Sequence, residues 1–301
     1  MVALTASLYR PELEPAVLEA EFTDSASRFA ELSGLRVHFK DEGSGPPLLL
    51  IHGTASSLHT WDGWVAELAD RFRLVRLDLP GFGLTGPEPV GDYSASRRVE
   101  VIVALMDLLG IERTAVAGNS LGGGIALELA RSHPDRVEAL VLIDSAGYPI
   151  NRREGFVVFD FARLPIAERL LSRLTPRILV RAGVQQSYGD ETRVTPELVD
   201  RYYRLLRRRG NRRALIIGLS TEHNLDRDVI RSLRQPVLVL WGSEDRLIAV
   251  ETAADFDADL VDSKLIIYDG VGHLPMEETP DRSAADVAGF LFSLESRHNA
   301  H

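Results

Sequence analysis

The chain contains no cysteine. That absence excludes disulfides, thiolate metal sites and a cysteine nucleophile together, so only Ser, Thr, Asp, Glu, Lys, His or Tyr could attack a substrate. Lysine is nearly absent too: of 34 basic residues only Lys40 and Lys264 are lysine, and the rest are arginine. No apolar run reaches the roughly 18 to 20 residues a membrane helix needs. The longest candidates are strand-length pieces such as Pro47–Ile51 and Pro236–Trp241. Met1–Tyr9 lacks a basic n-region and an apolar h-region, which reads as no secretory signal and sets the expectation of a cytoplasmic protein. Positive charge is in deficit, and a net charge of −10 argues against a nucleic-acid partner, whose electrostatic footprint is basic. What is present is ordinary for a globular chain: 45% hydrophobic and 26% charged residues over 301 positions supply a core and exclude disorder, collagen and coiled coil as whole-chain readings.

From Leu35 onward, short apolar strands alternate with longer helical patterns, the signature of a mostly parallel sheet flanked by helices. Strands are predicted near Leu35–Lys40, Leu48–Ile51, Leu74–Leu77, Thr114–Ala117, Ala139–Ile143, Val237–Leu240 and Lys264–Ile267. Helical spacing marks Trp61–Ala69, Ser94–Leu109, Leu121–Ser132 and Pro280–Leu294. Ligands and catalytic groups on such sheets gather at the carboxyl ends of the strands, where loops converge and helix amino termini offer backbone donors. Between about Gly147 and Gln235 the strand-like runs vanish and arginine-rich helical segments take over. The expected organisation is therefore an α/β core of residues 35–146 and 236–301, interrupted by a helical cap over 147–235, with residues 1–34 as an irregular or helical arm packed on the body. Residues 148–232 hold 17 Arg against 10 Asp plus Glu, a net +7 that leaves −17 for everything else. A basic lid facing an acidic body is read first as a docking device, and second as a lure for an anionic substrate or lipid surface.

The most specific stretch is Thr114-Ala-Val-Ala-Gly118-Asn119-Ser120-Leu121-Gly122-Gly123-Gly124, a strand feeding glycines and then a helix. It places Ser120 on a sharp strand-to-helix turn, where the positions two before and two after must be small so that strand and helix can pass closely. The N–H of Leu121, at the helix amino terminus, can point at a developing oxyanion. A hydroxyl needs a base to take its proton, which demands a later histidine held by a carboxylate. Both follow, each in a loop after a strand: Trp241-Gly-Ser-Glu-Asp245-Arg and Tyr268-Asp-Gly-Val-Gly272-His273-Leu274-Pro275. For the acid, Asp245 is preferred over Glu244 and over Asp144, which ends the strand Ala139–Ile143. The second oxyanion donor is expected from His52-Gly53-Thr54-Ala55 after the front strand, with the N–H of Thr54 favoured and His52 read as a structural hydrogen-bonding partner.

With these residues in hand the chain resembles the α/β-hydrolase superfamily. His52-Gly53, Asp78-Leu-Pro80-Gly81-Phe-Gly83, Gly118-Asn-Ser120-Leu-Gly122, Gly242-Ser-Glu-Asp245 and Gly272-His273 fall in the family's order, covering nearly everything from Leu35 to Leu294 outside the insert. The resemblance implies an eight-stranded, mostly parallel sheet, a helical cap after the sixth strand, and a Ser-His-Asp hydrolase that needs neither cofactor nor metal. Haloalkane dehalogenases and epoxide hydrolases in this superfamily attack with aspartate, where this chain has Ser120. The nucleophile segment is similar both to small carboxylesterases and to meta-cleavage-product C–C hydrolases. The latter commonly carry a Ser-Gly-x-Gly type oxyanion loop and a tryptophan after the histidine. Here the loop is Gly53-Thr-Ala-Ser-Ser and the residue is Leu274, which favours the esterase. Proline iminopeptidases usually have tryptophan where this chain has Leu121.

The expected activity is thus ester hydrolysis of a small-molecule substrate through an acyl-enzyme on Ser120, with C–C hydrolysis as the alternative and a slow-turnover receptor as the third reading. The rate should fall in acid, because the base must be neutral to work. Leu121, Tyr148, Ile248 and Leu274 flank the proposed catalytic groups and are candidates for an apolar pocket, although some could simply be core. Tyr188, Tyr202, Tyr203 and the run Phe156–Phe161 are read as packing the cap, and His223 is a polar candidate without a nameable partner.

Overall fold

In the computed structural model, which describes residues 10–149, 175–221 and 224–298, the apolar runs are strands of one eight-stranded sheet. In chain order these are β1 (Ser27–Leu32), β2 (Leu35–Gly43), β3 (Pro47–Ile51), β4 (Arg73–Leu77), β5 (Thr114–Asn119), β6 (Val137–Ile143), β7 (Val237–Gly242) and β8 (Ser263–Tyr268). Their spatial order is β1-β2-β4-β3-β5-β6-β7-β8, with the β1–β2 and β2–β4 pairs antiparallel and all others parallel.

The sheet is the middle of three layers, which is why its central strands read as continuous apolar runs. Alternate residues serve opposite faces: Leu48 and Leu50 join one cluster, Leu49 and Ile51 the other. On the first face lie α2 (Asp62–Leu68) and the last helix, whose Val287, Phe290, Leu291 and Leu294 pack with Trp61, Trp64 and Phe72. On the second lie α3 (Ala95–Leu108) and α4 (Leu121–Ser132), whose Val99, Ile102, Leu105, Ile125 and Leu129 cover Leu49, Val116, Leu142 and Val239. Ser94 fixes the start of α3 by accepting the Arg97 N–H at 3.2 Å.

One expectation about the front of the chain is corrected. Residues 10–26 are irregular apart from α1 (Pro15–Phe22), but 27–32 belong to the sheet as edge strand β1 and not to an arm outside it. The cause is local: Ser33 and Gly34, at φ +49° and +79°, close a two-residue hairpin that pairs Leu32 with Leu35 and Ser27 with Lys40. As an edge strand β1 buries only Leu32, so it lacks the apolar run by which the inner strands are recognised.

Between β6 and β7 the described residues are helical: α5 (Arg177–Gln186), α6 (Pro196–Leu206), α7 (Asn211–Leu219) and α8 (Arg227–Ser232). Thr195 caps α6 by accepting the Leu198 N–H at 3.2 Å, with Pro196 at the first helical position. Then come α9 (Glu251–Asp259), the short α10 (Pro275–Glu278) and α11 (Pro280–His298). Among the described residues no helix is long and apolar enough to cross a membrane. The two lysines differ sharply: Lys40 in β2 is buried with Nζ 2.6 Å from Asp24 Oδ2, while Lys264 is exposed near the start of edge strand β8.

Candidate active site

The carboxyl end of β5 turns into α4 through Ser120, whose backbone stands at φ +53°, ψ −119°. An L-residue reaches this region only under constraint, and strain of this kind gathers at functional sites. The constraint is visible on both sides. A Cβ on Gly118 would lie 2.3 Å from the Gly122 carbonyl oxygen, and one on Gly122 would lie 2.1 Å from that of Ile51. The Ser120 N–H is held by Ile143 at 3.0 Å, and its carbonyl takes the N–H groups of Gly123 and Ala146, each at 3.0 Å. The N–H of Leu121 opens the helix, where no intrahelical acceptor exists for it.

After β7 and β8 the two other expected residues meet. His273 Nδ1 lies 2.8 Å from Asp245 Oδ2, both side chains buried. Asp245 Oδ1 is occupied by the N–H groups of Leu247 (2.7 Å) and Ile248 (3.1 Å), so the carboxylate is fixed in rotation. The imidazole therefore turns Nε2 away from its carboxylate partner. Asn119, immediately before Ser120, donates through Nδ2 to the His273 carbonyl at 3.0 Å and to that of Ile143 at 3.2 Å. This amide ties the serine turn to the histidine loop. The sequence marks Asn119 only as part of a motif and gives no sign of that bond.

The loop after β3 lies against the same serine. A Cβ on Gly53 would be 3.2 Å from Ser120 Cβ and 2.9 Å from Asn119 Oδ1, so only glycine lets Thr54 come this near. His52 is a structural partner: Nδ1 donates to the Gly53 carbonyl at 2.7 Å, and Nε2 accepts the Leu79 N–H at 3.0 Å. Burial lowers its pKa from the usual 6.5 to about 4, against the opposing pull of Asp78, and keeps the ring neutral. Although burial alone would raise the Asp78 carboxyl, His38 Nδ1 at 2.8 Å and the N–H groups of Leu58 (2.8 Å) and Leu84 (2.7 Å) hold it below the ordinary carboxylate range.

The four pocket candidates are not brought into one cluster. Leu121, Tyr148 and Ile248 pack on one face of the sheet, and Leu274 on the other. Tyr148 is engaged with α9: its ring centroid lies 4.6 Å from that of Phe256, and its hydroxyl donates to Asp259 Oδ2 at 2.8 Å. Tyr188 and Tyr202 do pack the β6–β7 segment onto the core, through a residue the sequence reading passed over. Glu277, four residues beyond His273, accepts the hydroxyls of Thr60 (2.5 Å), Tyr188 (2.5 Å) and Tyr202 (2.8 Å). Its neighbour Glu278 accepts N–H groups from Gly272 (2.7 Å) and Gly189 (2.9 Å), and the His273 N–H goes to the Ser187 carbonyl at 2.8 Å. The histidine loop is thus braced by residues 187–189. Phe156–Phe161 and His223 lie outside the described residues.

Residues 46–280 match the sequence profile described as the alpha/beta hydrolase fold. The chain belongs to the α/β-hydrolase family. It is 30% identical over 284 residues to the 2-hydroxymuconate semialdehyde hydrolase of Pseudomonas sp. (strain CF600), covering 88% of this chain and 93% of that protein. Among solved structures, a meta-cleavage product hydrolase from Pseudomonas fluorescens superposes with a TM-score of 0.79 at 24% identity, over 89% of this hydrolase and 98% of that chain. A thermophilic esterase from Thermogutta terrifontis superposes with a TM-score of 0.76, also at 24% identity, over 89% and 98%. At that identity the two structures speak for the fold.

Proposed function

We propose that this hydrolase cleaves carboxylic esters of small to medium apolar substrates through an acyl-enzyme on Ser120. The observation that carries the reading is the buried Asp245–His273 pair at 2.8 Å, joined through Asn119 to a serine held at φ +53° on a helix amino terminus. His273 takes the Ser120 hydroxyl proton as Oγ attacks the ester carbonyl, and the N–H groups of Thr54 and Leu121 receive the oxyanion. Asp245 orients the imidazole and stabilises its cation. Collapse expels the alcohol, which leaves with the proton from His273. Water, deprotonated by the same histidine, then attacks the acyl group, releasing the acid and restoring Ser120. Every step uses side chains, backbone N–H groups and water.

A second reading, hydrolysis of a C–C bond in a vinylogous diketone, is favoured by the 30% identity over 88% of the chain to a 2-hydroxymuconate semialdehyde hydrolase. Against it stand Leu274 after the histidine and the loop Gly53-Thr-Ala-Ser-Ser.

The deciding test is steady-state hydrolysis of p-nitrophenyl acetate, butyrate, octanoate and palmitate, with a vinylogous diketone assayed in parallel and Ser120→Ala as control. Multiple turnover on the shorter esters, abolished by Ser120→Ala in a folded protein, is the expected result. Turnover of the diketone alone would transfer the assignment to the second reading, and a single acyl burst would mark a receptor.

A further inference from the structure

Asp144 sits at the end of β6 with its backbone at φ +44°, an uncommon conformation for a non-glycine residue. Its side chain is fully buried. Oδ1 accepts the Gly242 N–H at 3.0 Å, whereas Oδ2, also buried, has no partner if it can only accept. One oxygen of Asp144, one of Asp245 and one ring nitrogen of His273 all lie within 4.8 Å of one another. Asp245 is already committed, with Oδ1 taking two N–H groups and Oδ2 taking the imidazole at 2.8 Å. Two carboxyl groups therefore lie close together, both buried from bulk solvent, with Glu278 a further acid acting on Asp144.

Two anions at that spacing away from bulk solvent are strongly unfavourable, and a buried acceptor left unpaired costs about 1 to 3 kcal/mol. A single proton removes both difficulties. It neutralises one carboxyl and turns the orphaned oxygen into a donor aimed at its neighbour.

We propose that Asp144 is a neutral carboxylic acid whose hydroxyl donates to the Asp245 carboxylate, making it a positioning residue for the acid–base pair. This rests on the serine-hydrolase reading given above. The charges agree with the geometry: burial first, then the Asp245 and Glu278 charges, hold the Asp144 carboxyl well above the usual carboxylate range, against the Gly242 N–H. Tyr268, on neighbouring β8, is near enough to feel Asp144 were it ionised, while Asp245 is the group that touches the imidazole. The proton stays on Asp144 throughout the cycle. It leaves one net negative charge beside His273, enough to steady the imidazolium. A second anion would raise the ring's affinity for its proton, so that in mild acid more of it is already protonated and unavailable to take the serine proton.

The test compares wild type with Asp144→Asn, Asp144→Ala and Ser120→Ala by infrared difference spectroscopy and by the acid limb of kcat/KM on p-nitrophenyl butyrate. A protonated-carboxyl C=O band should be present at neutral pH in wild type and in Ser120→Ala, and missing from Asp144→Asn. Asp144→Asn, whose amide N–H replaces the O–H, should keep its acid limb within about 0.3 pH unit, because no charge has been removed. Asp144→Ala should lose up to about 10²-fold in kcat from misplaced geometry. Absence of the band, its titration through neutrality, an acid limb moved by a full unit in Asp144→Asn, or wild-type kcat in a folded Asp144→Ala would each overturn the proposal. The infrared band needs neither turnover nor the alanine variant, so a failed assignment of substrate and a failed assignment of the proton give different results.

Discussion

His52 and Asp78 carry opposite charges in principle and only one in practice. Burial keeps His52 neutral down to about pH 4, while in the unfolded chain it takes a proton near its ordinary 6.5. The contribution is therefore complete above pH 6.5 and is lost as pH falls toward 4, amounting to roughly 3 kcal/mol. Asp78, depressed below the usual carboxylate range, adds stability that disappears only in stronger acid. Asp144 works in the opposite sense: its raised affinity for a proton favours the folded state at low pH and ceases to do so as pH rises. Because these terms overlap, the informative quantity is a difference. Urea unfolding of wild type and His52→Gln between about pH 4 and 7 should show the variant's pH dependence flattened by about 3 kcal/mol. Parallel curves would mean that His52 takes its proton as readily in the folded protein as in the unfolded chain.

At the scale of elements, Glu277 on α10 is where three separate parts of the chain meet. Thr60 comes from the turn before α2, Tyr188 from the loop after α5 and Tyr202 from α6, at sequence separations of 217, 89 and 75. Glu277→Ala should cost about 2 to 4 kcal/mol, since hydrogen bonds to a charged group are worth more than neutral ones. It should also open residues 175–221 to limited proteolysis before the sheet unfolds. Uniform protection in the variant would show that apolar packing alone seats α5 and α6. The same separations explain what the sequence could and could not reveal. The strands β2 to β8, the serine turn and the two loops bearing Asp245 and His273 are legible because each is a local pattern: an apolar run, a glycine spacing, a turn after a strand. β1 is hidden by its exposed edge, and the helices α5 to α7 were legible only as an arginine-rich helical stretch. The Glu277 and Asn119 contacts are invisible because no local pattern encodes a partner far away in the chain.

Across the whole molecule, the basic β6–β7 segment meets acidic groups on nearly every side. Arg201 reaches Asp62 (3.4 Å), Arg204 reaches Glu21 (2.5 Å), Arg209 pairs with Glu14, and Arg231 reaches Asp259 (3.0 Å). Arg227 pairs with Asp255 and with Asp259. Most of these groups are partly exposed, so each pair contributes at most about 1 kcal/mol, and their effect lies in number and direction. Salt near 1 M, with a screening length of about 3 Å, should accelerate proteolytic cleavage within 175–221 while leaving α3 and α4 protected. Salt-independent cleavage would assign the seating to Glu277 and the apolar contacts. A different property follows from how unevenly the two lysines are placed. Lys40 is sealed in β2 by Asp24, so among side-chain amines only Lys264 is open to acylating reagents. It stands at the start of β8, roughly 13 Å of strand away from the end that leads to the histidine loop. Attachment through Lys264 would therefore leave the carboxyl ends of the strands, from which the loops bearing Ser120, Asp245 and His273 run, turned away from the support.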